Sequence, residues 1–255
     1  MRKKYGILIT FLVIAVILAG CTQVDEPITS DSEGFWNTIF VYPLSWVITT
    51  IASYFPVHVD FGLAIILVTV VIRLILVPLN VKQIKSTKAM QEIQPQLQEL
   101  QKKYASKDAN TQQKLQQETM QLFQKNGVNP LAGCLPILVQ MPIFIAMYHA
   151  IMRTREIGEH DFLGFIQLDE PNAILAILTA LFTFLQQKLM MSTNSSANSN
   201  PQMKLQLQIM LYVMPIMIGV MGFILPSALA LYWVTGNVFM ICQTLLINKP
   251  MMAKK

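Results

Sequence analysis

Phe61-Gly-Leu-Ala-Ile-Ile-Leu-Val-Thr-Val-Val-Ile-Arg-Leu-Ile-Leu-Val-Pro-Leu79 is an apolar run broken by a single charge, Arg73. As a helix rising about 1.5 Å per residue, it reaches about 28 Å, close to the hydrocarbon thickness of a bilayer. Arg73 then lies about 18 Å from one end and about 9 Å from the other. A guanidinium at such a depth costs about 2.5–3.5 kcal/mol on insertion scales, so it needs water or a polar partner. Two readings follow. Arg73 snorkels to the nearer interface, or it sits in a solvated cavity inside a helix bundle.

The rest of the chain favours the second. Of 255 residues, 53% are hydrophobic and only 13% are charged, against about 25% charged in soluble domains, so the chain reads as an integral membrane protein. Sixteen methionines add deformable apolar surface. Further apolar spans are expected at 131–151, 172–191, 208–225 and 227–247, which with 60–80 makes five. Several carry polar residues: Gln140, Tyr148 and His149 in the second, and Thr179, Thr183, Gln186 and Gln187 in the third. Tyr232, Trp233, Thr235, Asn237 and Gln243 lie in the fifth. Thr69 is one turn from Arg73 on the same face. Each polar group in lipid needs a partner or water, so several are expected to share one wet space with Arg73. His149 is expected near the outer interface, and Trp233 by itself reads as an interface anchor.

Residues 81–130 form the one long hydrophilic stretch. Met90, Ile93, Leu97, Leu100 and Tyr104 repeat at spacings of three and four, a short heptad seam. Ser106-Lys-Asp-Ala-Asn110 supplies a turn and a cap, and Leu115, Leu122 and Phe123 an apolar side for a second helix. The spacing predicts a helical hairpin, with a bend or late helix start at Pro95. Residues 35–55 are aromatic-rich, lack Lys and Arg, and contain Pro43; they read as an interfacial amphipathic helix rather than a span. Residues 152–171 form an acidic loop, 192–207 a Ser/Asn-rich linker, and 248–255 a basic tail. Placing 81–130, 192–207 and the tail in the cytoplasm puts nearly all lysines inside, with the acidic 21–59 segment and the 152–171 loop outside.

The start of the chain agrees with that orientation. Arg2, Lys3 and Lys4 precede an apolar stretch and then Leu18-Ala19-Gly20-Cys21. This is the pattern of a bacterial lipoprotein signal: residues 1–20 are removed and the Cys21 thiol carries the lipid. The alternative is an ordinary signal or anchor with a chance cysteine. The three cysteines fit neither a disulfide framework nor a metal site. The sequence has no His-Glu-x-x-His, no Gly-x-Ser-x-Gly, no phosphate-binding glycine loop and no acid pair within a span. Enzymatic chemistry, a cofactor and nucleic-acid binding are therefore not expected.

Asn129-Pro-Leu-Ala-Gly-Cys-Leu-Pro-Ile-Leu-Val-Gln-Met-Pro142, the Arg73 span followed by Pro78, and Ala230-Leu-Tyr-Trp-Val-Thr-Gly-Asn237 resemble the YidC insertase family over residues 35–248. The lipoprotein start resembles its short Gram-positive form. The resemblance implies an all-α polytopic membrane protein: a five-helix bundle around a hydrophilic groove, a cytoplasmic two-helix hairpin and an extracytoplasmic interfacial helix. It implies a substrate groove, open to the cytoplasm and to lipid in the bacterial plasma membrane, with Arg73, Gln187 and Trp233; the polar residues of the spans add Thr69 and Gln140 to that groove. The implied activity is insertion and folding of nascent membrane proteins without a cofactor. Implied partners are those substrates and the bilayer, with the ribosome and the Sec translocon as further candidates. The chain departs from the family's larger members in lacking a big extracytoplasmic domain, and its basic tail is short. The competing reading is a transporter or channel for an anionic solute, selected by Arg73.

Overall fold

The computed structural model describes residues 26–106, 108–129, 135–192 and 201–253. Cys21 and the 1–20 signal lie outside the described residues, as do the first residues of the 131–151 run and much of the 192–207 linker.

The chain is almost wholly helical. A π-helical turn, Asn37–Val41, leads into α1, Tyr42–Ala52. The longest helix, α2, runs Asp60–Glu92. Then come α3, Gln94–Lys103, and α4, Ala109–Lys125, followed by α5, Leu135–Arg153. A 3-10 turn at Arg155–Glu159 precedes two short strands, β1 (Asp161–Phe162) and β2 (Ile166–Gln167). They pair antiparallel, Asp161 with Gln167 and Phe162 with Ile166. The remaining helices are α6 (Ala173–Ser192), α7 (Pro201–Gly222) and α8 (Ser227–Gln243). A second π-helical turn, Thr244–Asn248, joins α8 to α9, Lys249–Ala253.

Among the described residues three helices are long and apolar enough to cross a membrane: Asp60–Glu92, Ala173–Ser192 and Ser227–Met252. Shorter apolar stretches are Asn37–Ala52, Leu138–Arg153 and Leu207–Gly222. The helix that starts the first expected span does not stop at residue 80. It stays helical through Pro78 to Glu92, so the first part of the hydrophilic stretch is a rigid extension of the span. The break comes at Ile93, and α3 restarts with Pro95 in its first turn, where a missing amide donor costs nothing. Asp108 caps α4 by accepting from the Thr111 amide at 2.9 Å.

Burial is concentrated at one end. Val41 and Ile48 of the N-terminal helix pack with Ala64 and Ile65 of α2, Met147 and Ala150 of α5, Leu168 after β2, and Leu229 of α8. The Ser45 and Thr154 hydroxyls share a buried hydrogen bond of 2.6 Å. Arg153, also buried, donates to the Glu26 carbonyl and to Asn37 Oδ1, both at 2.7 Å, and so ties the N-terminal segment to the end of α5. His149, expected near the outer interface, lies close to the end of α5. It is buried beside this cluster, and its Nδ1 has no partner among the described residues. α6 and α7 approach closely because Gly219 and Gly222 face Ala180 and Ala176; a Cβ at Gly219 would lie 2.8 Å from that of Ala180.

Candidate functional site

The polar residues of the apolar helices do not form one continuous cluster. Arg73, on α2, is half-buried and donates through Nη1 to Gln140 Oε1 on α5 at 3.0 Å. Gln140 Nε2 in turn donates to the Tyr232 hydroxyl on α8 at 3.2 Å. Gly236, one turn further along α8, gives the guanidinium room. A Cβ there would come 2.8 Å from Arg73 Nη2. Three helices therefore meet at one cation, with an amide and a phenol as its neutral relay.

No carboxylate neutralises Arg73 among the described residues; the ion pairs there are Lys103–Glu118 and Asp60–His160. A guanidinium carries five N–H donors, so the single bond to Gln140 leaves most of its donor capacity for water or for an incoming acceptor. Because it is half-buried in an apolar helix, that charge is screened less than a surface charge. The arrangement suits attraction and transient hydrogen bonding of an anionic or carbonyl-rich group. It contains no nucleophile or general base, and no metal-binding group of His, Cys, Asp and Glu occurs among the described residues.

The other expected groove residues lie outside this hydrogen-bonded cluster. Thr69 is fully buried, and its hydroxyl donates to the Ile65 carbonyl of its own helix at 2.6 Å. A threonine in an apolar helix satisfies itself in this way when no partner faces it. Gln187 donates to Met214 Sδ on α7 at 3.3 Å. Trp233 stacks on Phe144, with centroids 5.5 Å apart and planes 13° from parallel, so its ring is packed between α8 and α5. A separate pair, Asn237 Nδ2 to Thr183 Oγ1 at 2.7 Å, pins α8 to α6.

Tyr232, named among the polar residues of the fifth span, was not assigned to the groove, and Gly236 was not singled out at all. Their four-residue spacing places them on one face of α8, and that spacing was the available signal. What it could not supply was the knowledge that this face turns toward Arg73.

The 60Kd inner membrane protein family model matches residues 50–255. Membrane protein insertase YidC of Oceanobacillus iheyensis is 74% identical over 255 residues, covering 100% of both chains. Membrane protein insertase YidC 1 of Halalkalibacterium halodurans is 55% identical, covering 100% of this chain and 95% of the relative. Membrane protein insertase MisCA of Bacillus subtilis is 54% identical, covering 98% and 93%. With the match spanning most of the chain and full-length identity this high, the chain belongs to the YidC family of 60Kd inner membrane proteins.

Proposed function

We propose that this chain is a membrane protein insertase of the bacterial cell membrane, and that Arg73 is the residue that receives its substrates. The observation that carries the reading is a cation inside an apolar helix, held by Gln140 and Tyr232 and lacking a counter-carboxylate among the described residues. Alongside it stand relatives named as insertases over the full length of the chain.

The five apolar stretches form a bundle around a hydrophilic groove open to the cytoplasm and to lipid. α5 and α7 cross the membrane together with the three longer helices. Arg73 draws in the acidic or carbonyl-rich part of a nascent segment, while Thr69, Gln187 and Trp233 flank its path. The membrane potential, positive outside, opposes return of negative charge once it has passed. The apolar part of the substrate then leaves sideways, and its burial in lipid drives completion. The process moves a chain and makes no covalent bond, so it needs neither cofactor nor catalytic residue. Cys21 carries the lipid, the N-terminal side faces outward and the tail faces the cytoplasm. Intact mass and thiol labelling at Asn110→Cys and Gly158→Cys test those assignments.

The deciding experiment is insertion of a single-span client with an acidic leader into liposomes holding only this protein. Arg73→Lys should retain much of the activity, and Arg73→Ala and Arg73→Glu should lose it. Failure of Lys alongside Ala would mean that Arg73 is a structural fork whose geometry an ammonium cannot reproduce. Full activity of the Ala variant at wild-type abundance would remove Arg73 from the mechanism. The solute-transporter reading would require a small-anion flux in the same liposomes.

A further inference from the structure

The β1–β2 hairpin is fastened to the start of α2 at three points. Asp60, buried at the first residue of the helix, accepts from the Phe61 amide through Oδ1 and meets His160 Nδ1 through Oδ2 at 2.5 Å. The Leu163 amide donates to the His58 carbonyl at 2.7 Å. The Phe162 ring lies directly on Gly62, where a Cβ would come within 2.0 Å of it. These contacts hold the tip of the hairpin level with the first turn of a helix long and apolar enough to span the membrane.

That tip is apolar and uncovered. Leu163 is 51% exposed and Phe165 64%, while Val57 and Tyr54, on the loop that carries His58, are 66% and 81% exposed. The strands themselves alternate normally, with Phe162 and Ile166 turned inward and Asp161 and Gln167 outward. From Phe162 to Leu168 there is no charged residue, whereas Asp161 and Asp169 stand on either side. Leu163 is also the one non-glycine residue with positive φ among the described residues, at 60°. Asn or Gly would occupy that conformation with less strain, yet a leucine stands there with its side chain away from the core.

We infer that Leu163 and Phe165, with Val57 and Tyr54, are seated in the phospholipid leaflet at the end where α2 begins. Lipid is the occupant these observations select. The tip is clamped at the depth of the helix start, and its chemistry continues that of α2, which exposes Leu67, Val71, Leu74 and Ile75 along its length. An uncharged aromatic and aliphatic tip, with its flanking acids left on the water side, matches an element whose apolar face lies about 5–10 Å into the headgroup and acyl boundary. The hairpin thereby anchors the connection between α5 and α6 to the membrane surface and holds the packed end of the molecule at a constant depth.

The test uses the full chain with Cys134 and Cys242 replaced by Ser and Cys21 kept, its thiol taken up by the lipid, in nanodiscs of phosphatidylethanolamine and phosphatidylglycerol. Spin labels are placed singly at Phe165→Cys, Gln167→Cys and Ile75→Cys. The Phe165→Cys label should be relaxed several-fold more by oxygen than by a water-soluble nickel chelate, as at Ile75→Cys, with the order reversed at Gln167→Cys. A Phe165→Cys label that reads as aqueous overturns the inference. So does one shielded from both reagents, which would place protein, such as a second copy of this chain, over the tip. An aqueous reading at Ile75→Cys as well would locate the failure in the spanning role of α2 rather than in the hairpin.

Discussion

The two ends of α2 belong to differently built regions. At its start, residues from the N-terminal helix, α2, α5, the β hairpin and α8 bury one another, and even the polar groups Ser45, Asp60, Arg153 and Thr154 are held in place there. Past its end, α3 and α4 touch along a thin seam. α4 buries none of its residues and α3 only Gln94. What joins the two arms is polar: the Tyr104 hydroxyl donates to Glu118, whose carboxyl it holds below the usual carboxylate range, and Lys103 lies 3.4 Å from the same carboxylate. One end is organised by close packing of buried side chains and buried hydrogen bonds, the other by exposed hydrogen bonds that water can replace. We propose that the packed end is a fixed frame and the α3–α4 hairpin an arm that moves. Arg73 lies between them.

Hydrogen exchange should separate the regions most widely. Amides of 94–125 should exchange orders of magnitude faster than those of 61–68, since opening free energies range from near zero to the global value. Equal protection would break the comparison. Truncation comes next. Met147→Ala and Leu229→Ala, both fully buried, should each destabilise by about 2–5 kcal/mol in denaturant unfolding. The same change at Leu122, on the hairpin, should fall within the small range expected of surface sites. Gly62→Ala must displace the Phe162 ring and should cost about 1–3 kcal/mol, although alanine favours the helix. Gly236→Ala should show the opposite sign. The atom it crowds is the end of a flexible guanidinium, so thermal stability should hold or rise while client insertion in liposomes falls.

The smallest effect concerns Asp108. Hydrogen bonds from Ser106 and Thr111 hold its carboxyl at about 2, below the ordinary 3.8. A depressed pKa stabilises the folded cap fully above the ordinary value, and that contribution disappears as pH falls through about 2. Helicity at the start of α4 should therefore decline between about pH 4 and pH 2, and Asp108→Asn, which still caps, should abolish that dependence. A pH-independent signal in the wild type would show that the cap is not formed.

The two short helices were legible in the sequence because their signals are local, a capping aspartate and a proline that marks where a helix begins, although Met90 of the expected heptad seam lies in α2 and Ile93 at the break. Three of the five expected spans were legible for a similar reason, as Asp60–Glu92, Ala173–Ser192 and Ser227–Met252, since length and hydropathy are one-dimensional. The join between them was not. Nothing between Asn80 and Glu92 ends a helix, so α2 runs on where the change in composition suggested a boundary.

What the sequence by itself determined is that this chain enters a membrane and carries one cation there that needs a polar neighbour. Burying a guanidinium in hydrocarbon is costly enough to demand such a neighbour whatever the fold. Which neighbour answers was decided only by the tertiary structure. Gln140 is 67 positions from Arg73, while Thr69, one turn away, bonds its own backbone instead. Asp60 finds His160 across 100 positions in the same way. A polar residue in an apolar helix states a requirement, and the rotation and packing of the other helices choose which side chain satisfies it.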